Sequence, residues 1–400
     1  MIKAILLDLD NTLLDNPDKA FAQAFLAALT SHFQHRHSYA DAAQSHRESL
    51  KGLGDSHDGS QSNAARMAAY FQHVSRLSPD EARASWEIFY SDIYPALLES
   101  CVRPVMGAVP LIHTLREAGI ALIIATNPIY PEAAILARMA QVGLPIETGI
   151  YTLVTGAELM HYPKTDPAYY AEILGRIGVE PDEALMVGDS PTNDIRPAHT
   201  VGLHTFHITR GDAKPLQGGF SGTLEDFSAL TGDPEWTRRF PTLPLRAEMI
   251  VPQYRGNIAA LCGMLENVQV DHWHKRPDPN EWSILQILCH LAESEERDQR
   301  PRLERILRED NPFIVAPHPS GPHLPICHKD GWQVAQRFVK TRQQTLDFVA
   351  ALQPDNWQRP ARHSIFGLTT LLEMAHFTAQ HDRLHLNQLC QTIGRCVSFS

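Results

Sequence analysis

Three short aliphatic runs constrain this chain more than any other feature: AILLDLD (4–10), ALIIATN (121–127) and ALMVGDS (184–190). Each is β-rich and ends in polar residues. Amphipathic segments such as AVPLIHTLREAG and PAYYAEILGRIG lie between them. Apolar strands separated by helices specify a parallel sheet covered on both faces. Ligands of such sheets bind beyond the carboxyl ends of the strands. All three runs carry their acidic or hydroxyl residues at that end, so the strand reading and the site reading agree.

Two interruptions break the alternation. Residues 16–100 read as helical, with DKAFAQAFLAALTSHF, SNAARMAAYFQHVSRL and SPDEARASWEIFYSDIYPALLES as three segments. The last opens on Ser78-Pro79, an N-cap followed by proline at the first helical position. GLGDSHDGSQS reads as a loop. This is a helical insertion after the first strand, placed as a cap. A second break falls at 212–244, rich in Gly and Pro. Beyond it, 245–268, 281–309, 331–352 and 367–393 read as long helices, with Pro301 a kink in the second and 311–330 a long connection. The expected organisation is an α/β domain over 1–235, a linker over 236–244 and an all-α four-helix bundle over 245–395. A chain of 400 residues has room for two or three domains.

The net charge of −11 argues against a non-specific nucleic-acid binder, which needs a basic surface. No apolar run approaches the ~20 residues of a membrane span. The N-terminus reads directly as a strand, with no signal peptide. Six cysteines lie without a CxxC pair, as expected of reduced thiols in a cytoplasmic protein.

Asp8 and Asp10, two residues apart at a strand end, need a chemical reason to share a site. A carboxylate can attack phosphorus and form an aspartyl-phosphate. A second carboxyl group can protonate the leaving oxygen and then take a proton from water. Their repulsion is relieved by a hard cation such as Mg²⁺. Thr126, with Asn127 beside it, offers a hydroxyl and backbone N–H groups to phosphate oxygens. Lys164, just before a helix, offers positive charge. Asp189 and Asp194 in VGDSPTND supply further metal carboxylates. In order and spacing, Asp8-x-Asp10-x-Thr12, Thr126, Lys164 and Gly188-Asp189-x4-Asp194 resemble the haloacid dehalogenase-like hydrolase superfamily over about 1–235. The resemblance implies a Rossmann-like core with a helical cap. It also implies Mg²⁺ held by Asp8, the backbone carbonyl of Asp10 and Asp189, with Asp194 direct or one layer out. Dehalogenases of the superfamily lack the second aspartate, so Asp10 favours phosphoryl chemistry. Thr-Asp-Pro after Lys164, where the family often has Pro, is a small departure.

In MAHFTAQHDRLHLNQL, His381 and His385 are one helical turn apart and can share a metal. His376 lies well round the helix. His290, in NEWSILQILCHLAESEERD, is a third ligand from another helix. Trp282, the His290 segment and His381-x-x-x-His385-x-x-Gln388 resemble the DinB-like four-helix bundles over about 245–395. That resemblance implies a three-histidine site for Zn²⁺ or Ni²⁺, in a superfamily that includes metal-dependent thiol transferases.

The expected function is Mg²⁺-dependent hydrolysis of a small phosphorylated metabolite, with no nucleic-acid or membrane partner. Two alternatives stand beside it: phosphotransfer or mutase chemistry on the same core, and thiol transfer or isomerisation in the bundle. Arg47, Lys51 and Arg66 are the cap cations that could meet a substrate; if 245–395 is an independent bundle, a chain ending near Pro241 is expected to keep phosphatase activity.

Overall fold

The computed structural model describes residues 1–209, 220–316 and 330–397. Strand β1 (Ala4–Leu7) is buried on both faces. β2 (Leu14–Asp15) follows and leads into the cap, formed by α1 (Asp18–His37), α2 (Ala42–Gly52), α3 (Asn63–Ser75), α4 (Pro79–Ile88) and α5 (Tyr94–Cys101). β3 (Arg103–Pro104) returns antiparallel to β2, with Leu14 opposite Pro104, so both crossings of the cap are joined by one ribbon. Ser78 caps α4 in a reciprocal box with Glu81, with Pro79 at the first helical position. The sequence reading left α2 unassigned. Its buried face is Ala42, Ser45, His46 and Ser49, too polar to print an apolar stripe.

The core continues through α6 (Ala108–Glu117), β4 (Ala121–Ile124), α7 (Glu132–Gln141), β5 (Leu153–Val154), α8 (Pro167–Ile177), β6 (Ala184–Gly188), α9 (Arg196–Val201), β7 (His204–Ile208), β8 (Phe220–Gly222) and α10 (Leu224–Thr231). The six-stranded sheet runs β5-β4-β1-β6-β7-β8 and is parallel throughout. β1 is flanked by β4 and β6, with Leu7 level with Ile124 and Val187. The three sequence runs therefore end side by side, which brings their polar residues to one edge. Trp236, inside the stretch read as a linker, is buried in the core of this domain with Phe206 and Phe227. The Ile2 N–H donates to the Thr237 carbonyl.

The second domain holds α11 (Ile250–Leu265), α12 (Ile284–Ser294), α13 (Arg300–Arg308), α14 (Gly331–Ala350) and α15 (Leu371–Cys396). A small sheet of β9 (Phe313–Ile314), β10 (Pro360–His363) and β11 (Gly367–Thr370) closes one end. The second long helix is split: a wide π turn, Glu295–Gln299, separates α12 from α13 just ahead of Pro301. Of the connection read over 311–330, residues 317–329 lie outside the described residues. No described helix is long and apolar enough to cross a membrane. The five cysteines among the described residues are all free.

The two domains pack helix against helix. α8 buries every residue from Ala168 to Gly175, because the sheet covers one side and α11 with α15 the other. A Cβ on Gly256 of α11 would stand 2.5 Å from Ala171 Cβ and 2.5 Å from the Glu172 backbone nitrogen. Only glycine permits that approach. Gly263, two turns on, faces Arg176 and His161. Polar ties complete the seam: Arg383 pairs with Glu180, Arg255 with Asp166, and Gln253 donates to the Val201 carbonyl.

Candidate active site and histidine cluster

Asp8 follows β1 directly and is 6% exposed. One of its oxygens accepts from Thr12 Oγ1 at 3.0 Å and the other from Lys164 Nζ at 2.5 Å. Lys164 Nζ also lies 2.6 Å from Asp194 Oδ1. Burial opposes the lysine's charge, but Asp194 and Asp8 together outweigh it and hold the ammonium above its ordinary range. Burial pushes the Asp194 carboxyl up, and Asp8 adds to the rise. Asp194 Oδ2 accepts from the Ser190 N–H at 2.8 Å, which fixes the turn after β6. The ligand oxygens of Asp8, Asp189 and Asp194 lie within 4.8 Å of one another. Three carboxylates around one lysine leave excess negative charge, and an oxygen-only donor set of this kind fits a hard divalent cation.

Asp10 stands apart from that cluster. Its Oδ1 accepts from Asn16 Nδ2 at 2.8 Å and from the guanidinium of Arg138. These contacts orient the side chain through Oδ1, and the backbone carbonyl is the atom that the family resemblance assigns to a metal. Arg138, on α7, is 1% exposed, and its guanidinium lies over the rings of Phe21 and Tyr130. Burial pushes it down to about 10, with Asp8 resisting the fall. The sequence reading missed it. Its place three residues after Ile135 and one before Met139 puts it on the buried face of α7 but does not point to its partner Asp10.

Thr126 follows β4 and is buried; its N–H donates to Thr155 Oγ1 and its carbonyl accepts from the Tyr169 hydroxyl. Asn127 Oδ1 accepts from the Lys164 N–H at 3.3 Å, tying the loop after β4 to the segment before α8. His207 Nε2 lies 3.0 Å from the Asp189 carbonyl, another contact the sequence did not announce. All seven predicted residues of the first domain line one cavity of about 480 Å³, with Phe21 and Ala22 of the cap on its far wall. None of Arg47, Lys51 and Arg66 lines it. Arg66 instead binds the carbonyls of Leu53 and Gly52.

In the bundle, α12 and α15 bring His290, His381 and His385 together, with ligand nitrogens within 4.8 Å of one another. His290 Nε2 and His381 Nε2 are 3.2 Å apart. His385 Nδ1 lies 2.9 Å from Gln388 Oε1, a contact that leaves Nε2 facing the other two rings, and Trp282 stacks on it. Burial, then the neighbouring imidazoles, pushes His290 down to about 3, and burial with His381 pushes His385 down to about 4. Neutral imidazoles are the ligating form, so the trio suits a transition metal. His376 is outside the group and senses Arg383, Glu180 and Asp182 instead. Beneath the trio a fully buried Arg342 binds Asp382 and Glu295.

Residues 2–202 match the family model of the haloacid dehalogenase-like hydrolases. This chain belongs to that family. Residues 253–389 of the same hydrolase match the model of the DinB superfamily. A phosphoglycolate phosphatase from Rhodospirillum rubrum is 30% identical over 242 residues, spanning 58% of this hydrolase and 90% of that protein. A glyceraldehyde 3-phosphate phosphatase from Methanopyrus kandleri is 25% identical over 230 residues, 57% and 92% of the two chains. A phosphoserine phosphatase from Thermus thermophilus is 28% identical over 236 residues, 52% and 90%.

Proposed function

We propose that this hydrolase removes phosphate from a small phosphomonoester through an aspartyl-phosphate on Asp8. The observation that carries the reading is the setting of Asp8: one oxygen on Thr12, the other on Lys164, at the end of the central strand. A carboxylate held from both sides is oriented for attack. Its oxygen forms a bond to phosphorus as the bond to the leaving alcohol oxygen breaks. Protonated Asp10 gives that oxygen its proton, and Arg138 with Asn16 sets where Asp10 stands. Water then attacks phosphorus, Asp10 takes its proton, and the bond to Asp8 breaks to release phosphate. Lys164 and the Thr126–Asn127 turn steady the phosphoryl oxygens. Mg²⁺, held by Asp8, Asp189, the Asp10 carbonyl and, directly or through water, Asp194, would supply charge neutralisation. The named relatives act on small phosphorylated metabolites, which agrees with a cavity of this size.

Asp8→Asn is expected to abolish phosphate release with unchanged circular dichroism, because an amide cannot form the acyl phosphate. Asp10→Asn is expected to accumulate phosphoenzyme, measurable with a ³²P-labelled substrate. Undiminished turnover by Asp8→Asn sinks the mechanism. In the bundle, His290, His381 and His385 are proposed to hold one Zn²⁺ or Ni²⁺. Metal analysis of the purified chain is expected to show that ion lost on His381→Ala or His385→Ala and kept on His376→Ala. Equal metal content in all three variants would remove the assignment.

A further inference from the structure

A second cavity, a cleft of about 950 Å³, lies between the cap and the core; it is mostly apolar, with Asp80, Arg83, Glu87 and Glu158 also in its lining, where the catalytic cavity is charged. Ala64, Ala68, Phe71, Trp86 and Tyr90 of the cap form much of it, and Ile129 of the core lines both this cleft and the catalytic cavity. Ile129 is the residue common to the two linings, so the two spaces adjoin there. The cleft wall is also fixed to the catalytic loops. Asn63, fully buried at the start of α3, donates from Nδ2 to the carbonyls of Pro128 and Tyr162, each 3.2 Å away. Pro128 precedes Ile129, and Tyr162 lies two residues before Lys164. Cleft and catalytic groups thus form one frame.

The charge inventory of the two spaces decides what can lie across them. The cationic side chains lining the catalytic cavity are Arg138 and Lys164, and both are committed, to Asp10 and to Asp8 with Asp194. Arg83 at the cleft rim is exposed and paired with Asp80 at 2.8 Å. His46, which also lines the cleft, is pushed down to about 4 by burial and stays neutral near pH 7. Among the described lining residues only the exposed Arg83 is left outside a buried pair, and Asp80, Glu87 and Glu158 of the same lining outnumber it, so the two spaces offer little to a second anionic group on the substrate. Placing a carboxylate or second phosphate against this apolar wall would leave it desolvated and unmatched. An uncharged hydrocarbon loses nothing there and gains by leaving water.

Resting on the phosphatase reading above, we infer that the substrate is a monophosphate ester of an uncharged, apolar alcohol, whose leaving group extends past Ile129 into the cap cleft. Substrates whose second end is anionic, such as phosphoglycolate, are disfavoured, although a relative is named for that activity.

The test uses the full chain with Mg²⁺ and a series of n-alkyl phosphates from ethyl to octyl, with phosphoglycolate alongside. kcat/KM is expected to rise about tenfold or more from ethyl to octyl phosphate. Ala68→Phe fills the cleft from an exposed helix position, so the core is not strained. It is expected to remove most of that gain and to leave ethyl phosphate turnover unchanged. A flat series, or a preference for phosphoglycolate, overturns the inference and leaves the phosphatase reading standing. Binding is followed separately by tryptophan fluorescence, since Trp86 lines the cleft. Saturable quenching by octyl phosphate, lost in Trp86→Phe and absent with ethyl phosphate, supports the cleft assignment even if no ester is hydrolysed, an outcome that would refute the phosphatase reading alone. Absence of both turnover and quenching overturns the two together.

Discussion

Arg138 shows what one buried charge can do to a site. An arginine at 1% exposure requires a partner, and here the partner is Asp10, the carboxylate to which the proposed mechanism gives proton transfer. Stacking over Phe21 of the cap and Tyr130 of the core holds the guanidinium between the two parts that flank the cavity. Arg138→Met is expected to lower kcat by roughly ten- to a hundredfold, since Asp10 would keep only Asn16 to orient it. The discriminating measurement is a double-mutant cycle. If Arg138 acts through Asp10, Arg138→Met in an Asp10→Asn background costs little more than Asp10→Asn alone. Full additivity would show a purely structural arginine. The other residues brought to the cavity were legible as candidates before any coordinates, because Asp8, Thr126, Lys164 and Asp189 each stand just past an apolar run or just before a helix. Arg138 and His207 were not, because their meaning depends on partners more than a hundred and just eighteen residues away. Spacing within one segment cannot report such contacts.

At the scale of elements, legibility followed hydrophobic pattern. Three strands of the central sheet, β1, β4 and β6, and most helices announced themselves, whereas β5, β7, β8 and α2 did not, and for α2 the cause has a measurable consequence. The buried face of α2 includes His46, which packs against the rings of Phe25 and Trp86. Burial, aided by Arg47, lowers its pKa from 6.5 to about 4. The folded state therefore binds its proton less readily than the unfolded chain. Stability from this residue is fully present above pH 6.5 and declines as pH falls towards 4, by roughly 3 kcal/mol at most. Denaturant titrations at pH 7 and pH 4.5 are expected to show a smaller acid loss in His46→Gln than in the parent chain. An equal loss in both would mean that other groups carry the acid sensitivity. Proline left its own mark on the helices. The three π turns, Phe89–Ile93, Pro191–Ile195 and Glu295–Gln299, each end two residues before a proline: Pro95, Pro197 and Pro301. A proline inside a helix lacks the N–H that the preceding turn needs and crowds its carbonyl, and a wider turn relieves both. The kink expected at Pro301 takes this form, and it sets the register that points Glu295 at Arg342.

For the molecule as a whole, a packed seam joins the two domains through α8, α11 and α15. Helix interiors disfavour glycine by about 1 kcal/mol relative to alanine. α11 nevertheless carries two, Gly256 and Gly263, seven residues apart and so on one face. That spacing was a readable sign of a close helix contact, and its partner proves to be α8, whose start, capped by Asp166, lies two residues beyond Lys164. The bundle therefore braces the helix that follows Lys164. A chain ended near Pro241 would expose the outer face of α8, and it is expected to aggregate or melt well below the full-length protein. A subtler test keeps the chain whole. Gly256→Ala should destabilise it by roughly 1–3 kcal/mol, despite the better helix propensity of alanine, because the new methyl meets Ala171 and the backbone at Glu172. Gly394→Ala on α15 is the control: its Cβ meets nothing within 4 Å, so alanine should be neutral or stabilising by up to ~1 kcal/mol. If the seam also steadies Lys164, Gly256→Ala loses phosphate release in step with its shift in stability, and Gly394→Ala does not. Equal melting temperatures for the two variants would show that the domains are joined only through the chain, and that the phosphatase half stands without its neighbour.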